Sequence, residues 1–444
     1  MAGAPHSFEG VLTLIEGAPG TGKTEALVRR AAALLSEGVP ASSVALFAAT
    51  PASADAVRQR LASVVESSED LPLVTTLRDF ELTLLATSEA QRRFGRRPVV
   101  LLDFEESFLL EDVKLTGVAP RRLAEMLKFF YRSWADLEPM EGDWFYSDEE
   151  QRVYDCLVAG LQSRRAYAAD EIARRAWELL RDDDAAVGPR FDHVLVDDFL
   201  LLSRASQEVA RLSARESLTV AGDPLVGERA LEAYPSREGL ELLAQAHPQA
   251  QVVRLAESRK SPAVARALER VAADMEGNGA GGSFEAQEGE DGTVAVLTCS
   301  RAEEEFEAVA AQVERLLEQG RRPEALAVAG VTPAWASGVR RALEERGIPC
   351  AGVAPLKIGG DFRTSARCRG AQAVTLLKLA ADPEDPVALR SWCGFGDYLA
   401  NSSLMVALME AGGCPTMGSD SFVIPDQGQA RLAQEAERVA AALE

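Results

Sequence analysis

The sequence predicts an α/β fold in which a parallel sheet carries a phosphate-binding loop. Residues 17 to 24 fit the pattern G-x-x-x-x-G-K-[ST] at every defined position. The apolar run Val11 to Ile15 precedes them as a strand, and Glu25 to Leu35 has the apolar spacing of a helix. Further short apolar runs alternate with helical segments along the chain, an order that is typical of a parallel sheet.

A glycine-rich loop between a strand and a helix directs several backbone N–H groups at one anion. We expect Lys23 to reach the outer phosphates of a nucleotide and the Thr24 hydroxyl to hold Mg²⁺. The alternative is a glycine-rich turn that only packs, and the flanking strand and helix argue against it. The predicted nucleotide-binding residues of the loop are Gly17, Ala18, Pro19, Gly20, Thr21, Gly22, Lys23 and Thr24.

Composition limits the class of protein. The chain has 444 residues, of which 47% are hydrophobic and 26% charged, as expected of a globular protein with about two to four domains. A net charge of −22 argues against nonspecific coating of nucleic acid but allows a local basic groove. Arginine occurs in pairs, most of which we interpret as solvated helix faces: 92/93, 96/97, 121/122, 164/165, 174/175, 321/322 and 340/341.

The six cysteines form no C-x-x-C pair, so neither a disulfide framework nor a zinc or iron–sulfur site is indicated. Reduced thiols fit a cytoplasmic location. Three histidines argue against a His-rich metal site or a Ser-His-Asp triad. We expect no signal peptide, because the first apolar run is short and leads into the loop, and no membrane span.

In the first half of the chain, the sequence pattern predicts strands followed by a block of helices. After the loop and its helix, the apolar runs predict strands at 44–48 and 73–75 and helices at 52–65 and from residue 80 to 85. From there to about Arg190 the pattern is helical, polar and rich in arginine, with an acidic stretch from 103 to 112. This block contains an aromatic cluster made of Phe129, Phe130, Tyr131, Trp134, Trp144, Phe145 and Tyr146.

Strand patterns return at 193–196, 217–221 and 252–255. We therefore expect three early and three late strands to share one sheet, with the helical block as an insertion. Residues 277–292, rich in glycine and acidic residues, predict a linker. A second α/β unit is predicted beyond it, with strands at 293–297 and 325–329, helices at 302–319 and 334–346, and a short piece at 348–352.

Two acids, Asp197 and Asp198, directly follow the predicted strand at 193–196. A phosphate-loop nucleotidase needs a second carboxylate site at the end of a neighbouring strand. Asp197 would help to bind the metal ion, and Asp198 would be the general base. The alternative is structural: one of the two acids caps a helix and the other lies on the surface. After the next strand, Asp223 could sense the terminal phosphate or could simply begin a turn, as Gly222 and Pro224 favour.

The order of these segments resembles the UvrD/Rep-like superfamily I DNA helicases from residue 11 to about residue 400. Residues 50–61 (TPASADAVRQRL) resemble the family's second motif, and 76–80 (TLRDF) its T-x-H-S-F motif. Residues 154–180, followed by 192–198, resemble the family's helical insert that leads into its D-E-x-Q motif, and Gly222-Asp223 resembles its G-D motif. Residues 255–261 (LAESRKS) are similar to its L-x-x-N-Y-R-S motif.

The resemblance implies a P-loop NTPase with a RecA-like parallel sheet, a helical insertion and an incomplete second RecA-like domain. It implies ATP as the nucleotide, stacking of Arg259 on adenine, contact of Lys260 with the γ-phosphate, and single-stranded DNA as a partner. Candidate DNA-binding residues are Thr50, Arg78 and Phe80. Trp134 and Trp144 are further candidates, although we favour a core role for these aromatic residues.

The chain also departs from the family's pattern. Asp198 replaces a glutamate, Leu200 a glutamine, Arg78 a histidine and Lys260 an arginine. The sequence ends before the last two motifs, which predicts either a piece of a longer polypeptide or a shortened relative. We expect an ATP-dependent DNA helicase or translocase in repair or recombination, with slow ATP hydrolysis by this chain alone. The alternatives are a helicase-like protein that binds nucleotide as a switch or scaffold, and an unrelated P-loop ATPase.

The expected domains follow from these patterns. The first motor domain comprises residues 1–83 and 191–276, interrupted by the helical insertion 84–190. After the linker 277–292 come a partial second motor domain at 293–382 and the start of an accessory helical domain at 383–444. Other repair subunits are candidate partners, and no membrane is expected.

Overall fold

The structure of the protein is a computed structural model. The structure describes residues 10–65, 71–139, 144–181, 190–223, 233–275, 285–286, 291–330, 332–351, 358, 360–364 and 367–396.

A parallel six-stranded sheet is the centre of the described structure, with the strand order β3-β2-β4-β5-β1-β6. It joins three early and three late strands, as predicted, and each extends the predicted run by at most a few residues. Two further short strands, β7 and β8, pair in parallel outside it. The strands are β1 (Val11–Gly17), β2 (Val44–Ala48), β3 (Leu73–Thr76), β4 (Phe191–Val196), β5 (Ala214–Gly222), β6 (Gln251–Leu255), β7 (Glu257–Ser258) and β8 (Glu285–Ala286).

Successive residues of each strand face opposite sides of the sheet, which therefore supports two separate cores. Leu14 and Phe47 belong to the core on one side, which α3, α8 and α9 complete. Ile15 and Leu46 belong to the core on the other side, with α1 and α2. These helices are α1 (Lys23–Ser36), α2 (Pro51–Ala62), α3 (Leu77–Leu85), α8 (Ile172–Leu180) and α9 (Arg204–Ser213).

The predicted helical insertion is helical in the structure and has its own core. Trp134 is completely buried in that core, so the core role expected for it is confirmed. Trp144 is partly buried and stacks on Phe129, with ring centroids 5.1 Å apart. The helices of the insertion are α4 (Ser88–Phe94), α5 (Asp103–Val113), α6 (Pro120–Ala135), α7 (Asp148–Ser163) and α8.

The Glu106 carboxyl on α5 is half-buried beside α6. Burial raises the pKa of its carboxyl above the ordinary value of 4.5, and the Tyr131 hydroxyl, which donates to it over 2.9 Å, opposes that rise. Because the folded protein binds this proton more tightly than the unfolded chain, stability falls as pH rises from 4.5 through the raised pKa.

The variant Glu106→Gln keeps an acceptor for Tyr131 but carries no charge. We therefore expect it to gain stability relative to the wild type between pH 4.5 and pH 8, measured as the urea midpoint at each pH. The control Glu125→Gln, whose side chain is 70% exposed, should show no such trend. A loss of relative stability in Glu106→Gln as the pH rises would contradict the assignment.

Residues 358–396 belong to the same compact unit as the sheet and the insertion. Two helices, α14 (Arg369–Ala381) and α15 (Pro386–Gly394), pack on α5. Phe104 and Phe108 of α5 share an apolar cluster with Ala371 and Phe395. Lys378 adds an ion pair with the buried Glu105, at 2.5 Å.

Residues 292–357 form a second compact unit. Its described helices are α12 (Ala302–Glu318) and α13 (Pro333–Glu345), close to the two predicted ones, and they pack around Ala310 and Leu343. The strand predictions at 293–297 and 325–329 are wrong, and no described residue of this unit forms a strand. A strand requires a neighbour with which to exchange hydrogen bonds, and no described segment pairs with these residues.

The domain boundaries stay predictions. The predicted linker lies mostly outside the described residues, as does the tail beyond residue 396. Two further helices, α10 (Gly239–Ala246) and α11 (Pro262–Met275), precede the predicted linker.

Most of the arginine pairs lie on exposed faces, as expected, but two contain a buried member. Arg96 is 4% exposed and forms an ion pair with Glu171 at 2.7 Å. Arg164 is 2% exposed and pairs with the buried Asp112. Sequence pattern alone did not separate these two from the solvated arginines, because their partners are 52 or more residues away in the chain.

Candidate functional site

The loop from Gly17 to Thr24 lies at the carboxyl edge of the sheet, between β1 and α1. Gly20 (φ 83°) and Gly22 (φ 95°) adopt the left-handed conformation, which favours glycine. Thr21 is buried, and its hydroxyl donates to the carbonyl oxygen of Ala18 over 2.8 Å. This hydrogen bond joins two residues within the loop. Gly22 directly precedes the first turn of α1.

Lys23 bends back over the loop. Its Nζ atom donates to the carbonyl oxygens of Gly17 (2.7 Å) and Ala18 (3.0 Å) and lies 3.8 Å from a carboxylate oxygen of Asp223. Asp223 directly follows β5, the neighbour of β1 in the sheet. The sequence left open whether Asp223 senses the terminal phosphate or begins a turn, and the structure places its carboxylate beside Lys23 of the loop.

Thr24 and Asp197 connect the loop to the end of β4. The Thr24 hydroxyl donates to Oδ2 of Asp197 over 2.6 Å, although the two residues are 173 positions apart. The other oxygen of Asp197 accepts the N–H of Asp198 over 3.1 Å, so the carboxylate is held at both ends. A hydroxyl and a carboxylate oxygen side by side are the hard ligands that Mg²⁺ prefers, so the donor set fits this ion.

Burial raises the pKa of both carboxyls above their ordinary value of 3.8. Hydrogen bonds from Thr24 and Asp198 oppose the rise at Asp197, whereas the charge of Asp197 adds to it at Asp198. Asp198 also has a φ of 50°, in the left-handed region that is unusual for a residue with a side chain. Two acids with disfavoured charge, next to Lys23, are the arrangement that a bound cation would stabilise.

Arg259 and Lys260 lie over the loop. The Arg259 N–H donates to the carbonyl oxygen of Gly20 over 2.9 Å, which holds the chain after β6 against the loop. A Cβ atom on Gly20 would lie 2.7 Å from Cγ of Lys260, and a Cβ atom on Gly22 would lie 3.3 Å from Cζ of Arg259. The structure thus brings both cationic residues to the predicted nucleotide site.

The predicted DNA-binding residues have different positions. Thr50 follows β2 and caps α2, where its hydroxyl accepts the N–H of Ser53 over 3.1 Å. Arg78 donates to the carbonyl oxygen of Ala169 over 2.7 Å and remains partly exposed. Phe80 is only 2% exposed, because α3 turns it into the sheet core against Phe47, with ring centroids 5.0 Å apart. In this structure Phe80 is therefore inaccessible to a base.

No helix in the described ranges has the length and apolarity to cross a membrane. The same residues contain no group of three or more His, Cys, Asp and Glu side chains that could hold a metal ion.

A family model described as the UvrD/REP helicase N-terminal domain matches residues 3–225, half of the 444-residue chain. No curated protein matches the chain. The matched region contains the phosphate-binding loop, the two acids after β4 and Asp223, the same residues that the sheet brings together at one edge. The chain belongs to the UvrD/REP helicase family.

Proposed function

We propose that this protein is an ATP-dependent DNA translocase or helicase that acts on single-stranded DNA in repair or recombination. The observation that carries the proposal is the 2.6 Å hydrogen bond between Thr24 and Asp197. It joins the phosphate-binding loop to the carboxylates, and these are the two halves that nucleotide hydrolysis requires in this class of enzyme.

Each residue of the site has a distinct role in the proposed reaction. The loop and Lys23 bind the phosphates, Thr24 and Asp197 hold Mg²⁺, and Asp198 accepts the proton of the attacking water. Its raised pKa suits that role, since a base is most effective when its pKa approaches the working pH. Bound Mg²⁺ would neutralise charge on the phosphates.

Lys260 supplies positive charge over the loop at Gly20. We assign it to the γ-phosphate, where it acts as a point charge without the planar fork of arginine. Because one lysine replaces an arginine, we expect hydrolysis by this chain to be slow.

For DNA we retain Thr50 and Arg78. Thr50 lies two residues after β2, at the carboxyl edge of the sheet, and the Arg78 side chain is about one-third exposed. Phe80 is left out, because stacking on a base requires an open ring face.

A second candidate function is a nucleotide-dependent switch or scaffold that does not unwind DNA. It is favoured by the position of Leu200, which is 3% exposed and packs towards Gly222. An apolar side chain cannot hydrogen-bond a phosphate or a water molecule at that position. In a switch, nucleotide binding would change the conformation, and DNA would leave hydrolysis unaffected.

The two functions differ in how ATP hydrolysis responds to DNA. We expect a single-stranded oligonucleotide to raise the steady-state ATPase rate of the whole chain severalfold, with a blunt duplex and a DNA-free sample as controls. Tight Mg·ATP binding with the same rate in all three samples would favour the switch. An absence of Mg·ATP binding at millimolar concentration would contradict both functions.

A further inference from the structure

The side chain of Arg259 lies over the amino end of α1. A Cβ atom on Gly22 would lie 3.3 Å from Cζ and Nε of Arg259 and 3.6 Å from its Nη2 atom. The hydrogen bond from the Arg259 N–H to Gly20 fixes the backbone that carries this side chain. The guanidinium is thus held beside the residue at which the helix begins.

That position favours an anion. The first N–H groups of a helix have no partner within it, and the helix dipole places positive potential there. No described carboxylate forms an ion pair with Arg259 or with its neighbour Lys260. Two cations that no described carboxylate neutralises, at the positive end of a helix, attract negative charge from the ligand.

Among the described residues, the side chains nearest the loop glycines offer no aromatic face to a base. A Cβ atom on Gly17, Gly20 or Gly22 would first meet atoms of Thr21, Leu255, Lys260 and Arg259, none of which is aromatic. Arginine can stack on a base, but its planar fork also binds two phosphate oxygens at once, with charge on both sides of each hydrogen bond. Next to the positive end of the helix, the binding of phosphate oxygens is stronger than stacking on a base.

We infer that Arg259 binds the phosphates of the nucleotide and not its base, so that the site selects its ligand by the triphosphate and discriminates weakly among bases. This inference rests on the proposed nucleotide-binding function. It differs from the adenine-stacking role that the family resemblance implies for residue 259.

Inorganic tripolyphosphate separates the two roles, because it has the phosphates without a base. We expect Arg259→Ala to weaken Mg²⁺-dependent binding of tripolyphosphate and of a non-hydrolysable ATP analogue by the same factor, about tenfold, in calorimetry. Arg259→Phe, which keeps a planar surface but loses the charge, should behave in the same way. A loss confined to the ATP analogue, rescue of its binding by Phe, or no loss at all would overturn the inference.

A matched control is Arg215→Ala, which removes one positive charge at the amino end of β5, the opposite edge of the sheet. It should leave both affinities unchanged. Non-hydrolysable analogues of GTP and CTP should bind the wild type within about fivefold of the ATP analogue, since stacking and base contacts are each worth a factor of about ten or more. A larger preference for the ATP analogue would overturn the inference.

The variant Lys23→Ala distinguishes a failure of the proposed nucleotide-binding function from a failure of the inference about Arg259. If the wild type binds neither ligand, or if Lys23→Ala weakens neither, the proposed nucleotide-binding function fails. If Lys23→Ala weakens both ligands and Arg259→Ala weakens only the ATP analogue, the proposed function stands and the inference about Arg259 is wrong.

Discussion

Replacement of Lys23 by alanine is expected to lower the rate of ATP hydrolysis by about 10²–10³-fold, as removal of a preorganised group that stabilises transition-state charge typically does. The Nζ atom is already held over the loop by the carbonyl oxygens of Gly17 and Ala18. It therefore needs little reorganisation to meet a phosphate. The measurement is kcat of the whole chain with saturating Mg·ATP, in the presence and absence of single-stranded DNA.

The matched control is Lys128→Ala, which removes an exposed lysine from α6. Its rate should equal that of the wild type. Circular dichroism and the urea midpoint of Lys23→Ala should show that the variant remains folded. A Lys23→Ala protein that hydrolyses ATP at the wild-type rate would remove the basis of the proposed mechanism.

Replacement of Asp112 by asparagine is expected to destabilise the protein by about 3–5 kcal/mol, because it leaves two buried arginines without their counter-ion. Asp112 lies between Arg164 of α7's carboxyl end and Arg390 of α15, and all three are at most 2% exposed. Nη2 of Arg390 donates to Oδ1 of Asp112 over 2.7 Å, and its Cζ lies 5.2 Å from the ring centroid of Phe108. Urea unfolding followed by tryptophan fluorescence at pH 7 measures the change.

The exposed pair between Arg97 and Asp382 provides the control, since it also joins the insertion to the α14–α15 segment. Asp382→Asn should cost at most about 1 kcal/mol, as exposed ion pairs do. Equal losses in the two variants would show that the burial of Asp112 does not matter.

The same cluster has a defined pH dependence. Burial tends to raise the pKa of Asp112, but the Arg164 and Arg390 guanidiniums outweigh it and hold the pKa below the ordinary value of 3.8. The stabilisation is therefore complete above pH 3.8 and is lost as the pH falls through the lowered pKa. Accordingly, the difference between the wild type and Asp112→Asn should shrink in acid.

The features that sequence identified are those that depend on short stretches of chain. The loop from Gly17 to Thr24 is a contiguous motif with a conformation of its own. β2 is a wholly apolar run, so it was predicted at Val44–Ala48 with its observed bounds. The acids after β4 were found because parallel strands end at one edge, where ligands bind.

Contacts between distant segments could not be predicted in this way. Phe80 was expected to face DNA, but the sheet core competes for the same ring and buries it. The strands expected at 293–297 and 325–329 have suitable apolar residues but no pairing neighbour among the described residues. In both cases the outcome depends on which other segment lies alongside.

The sequence by itself determined that this chain has a phosphate-binding loop, a parallel sheet and a helicase-like order of motifs, because each is a local pattern of spacing and hydrophobicity. Only the tertiary structure decided that Asp112 is enclosed by two arginines and that the guanidinium of Arg259 lies beside Gly22. Both arrangements involve segments that are more than 50 residues apart in the chain. The free energy of a buried charge or of a bound phosphate depends on the residues that surround it, and those residues come from distant segments.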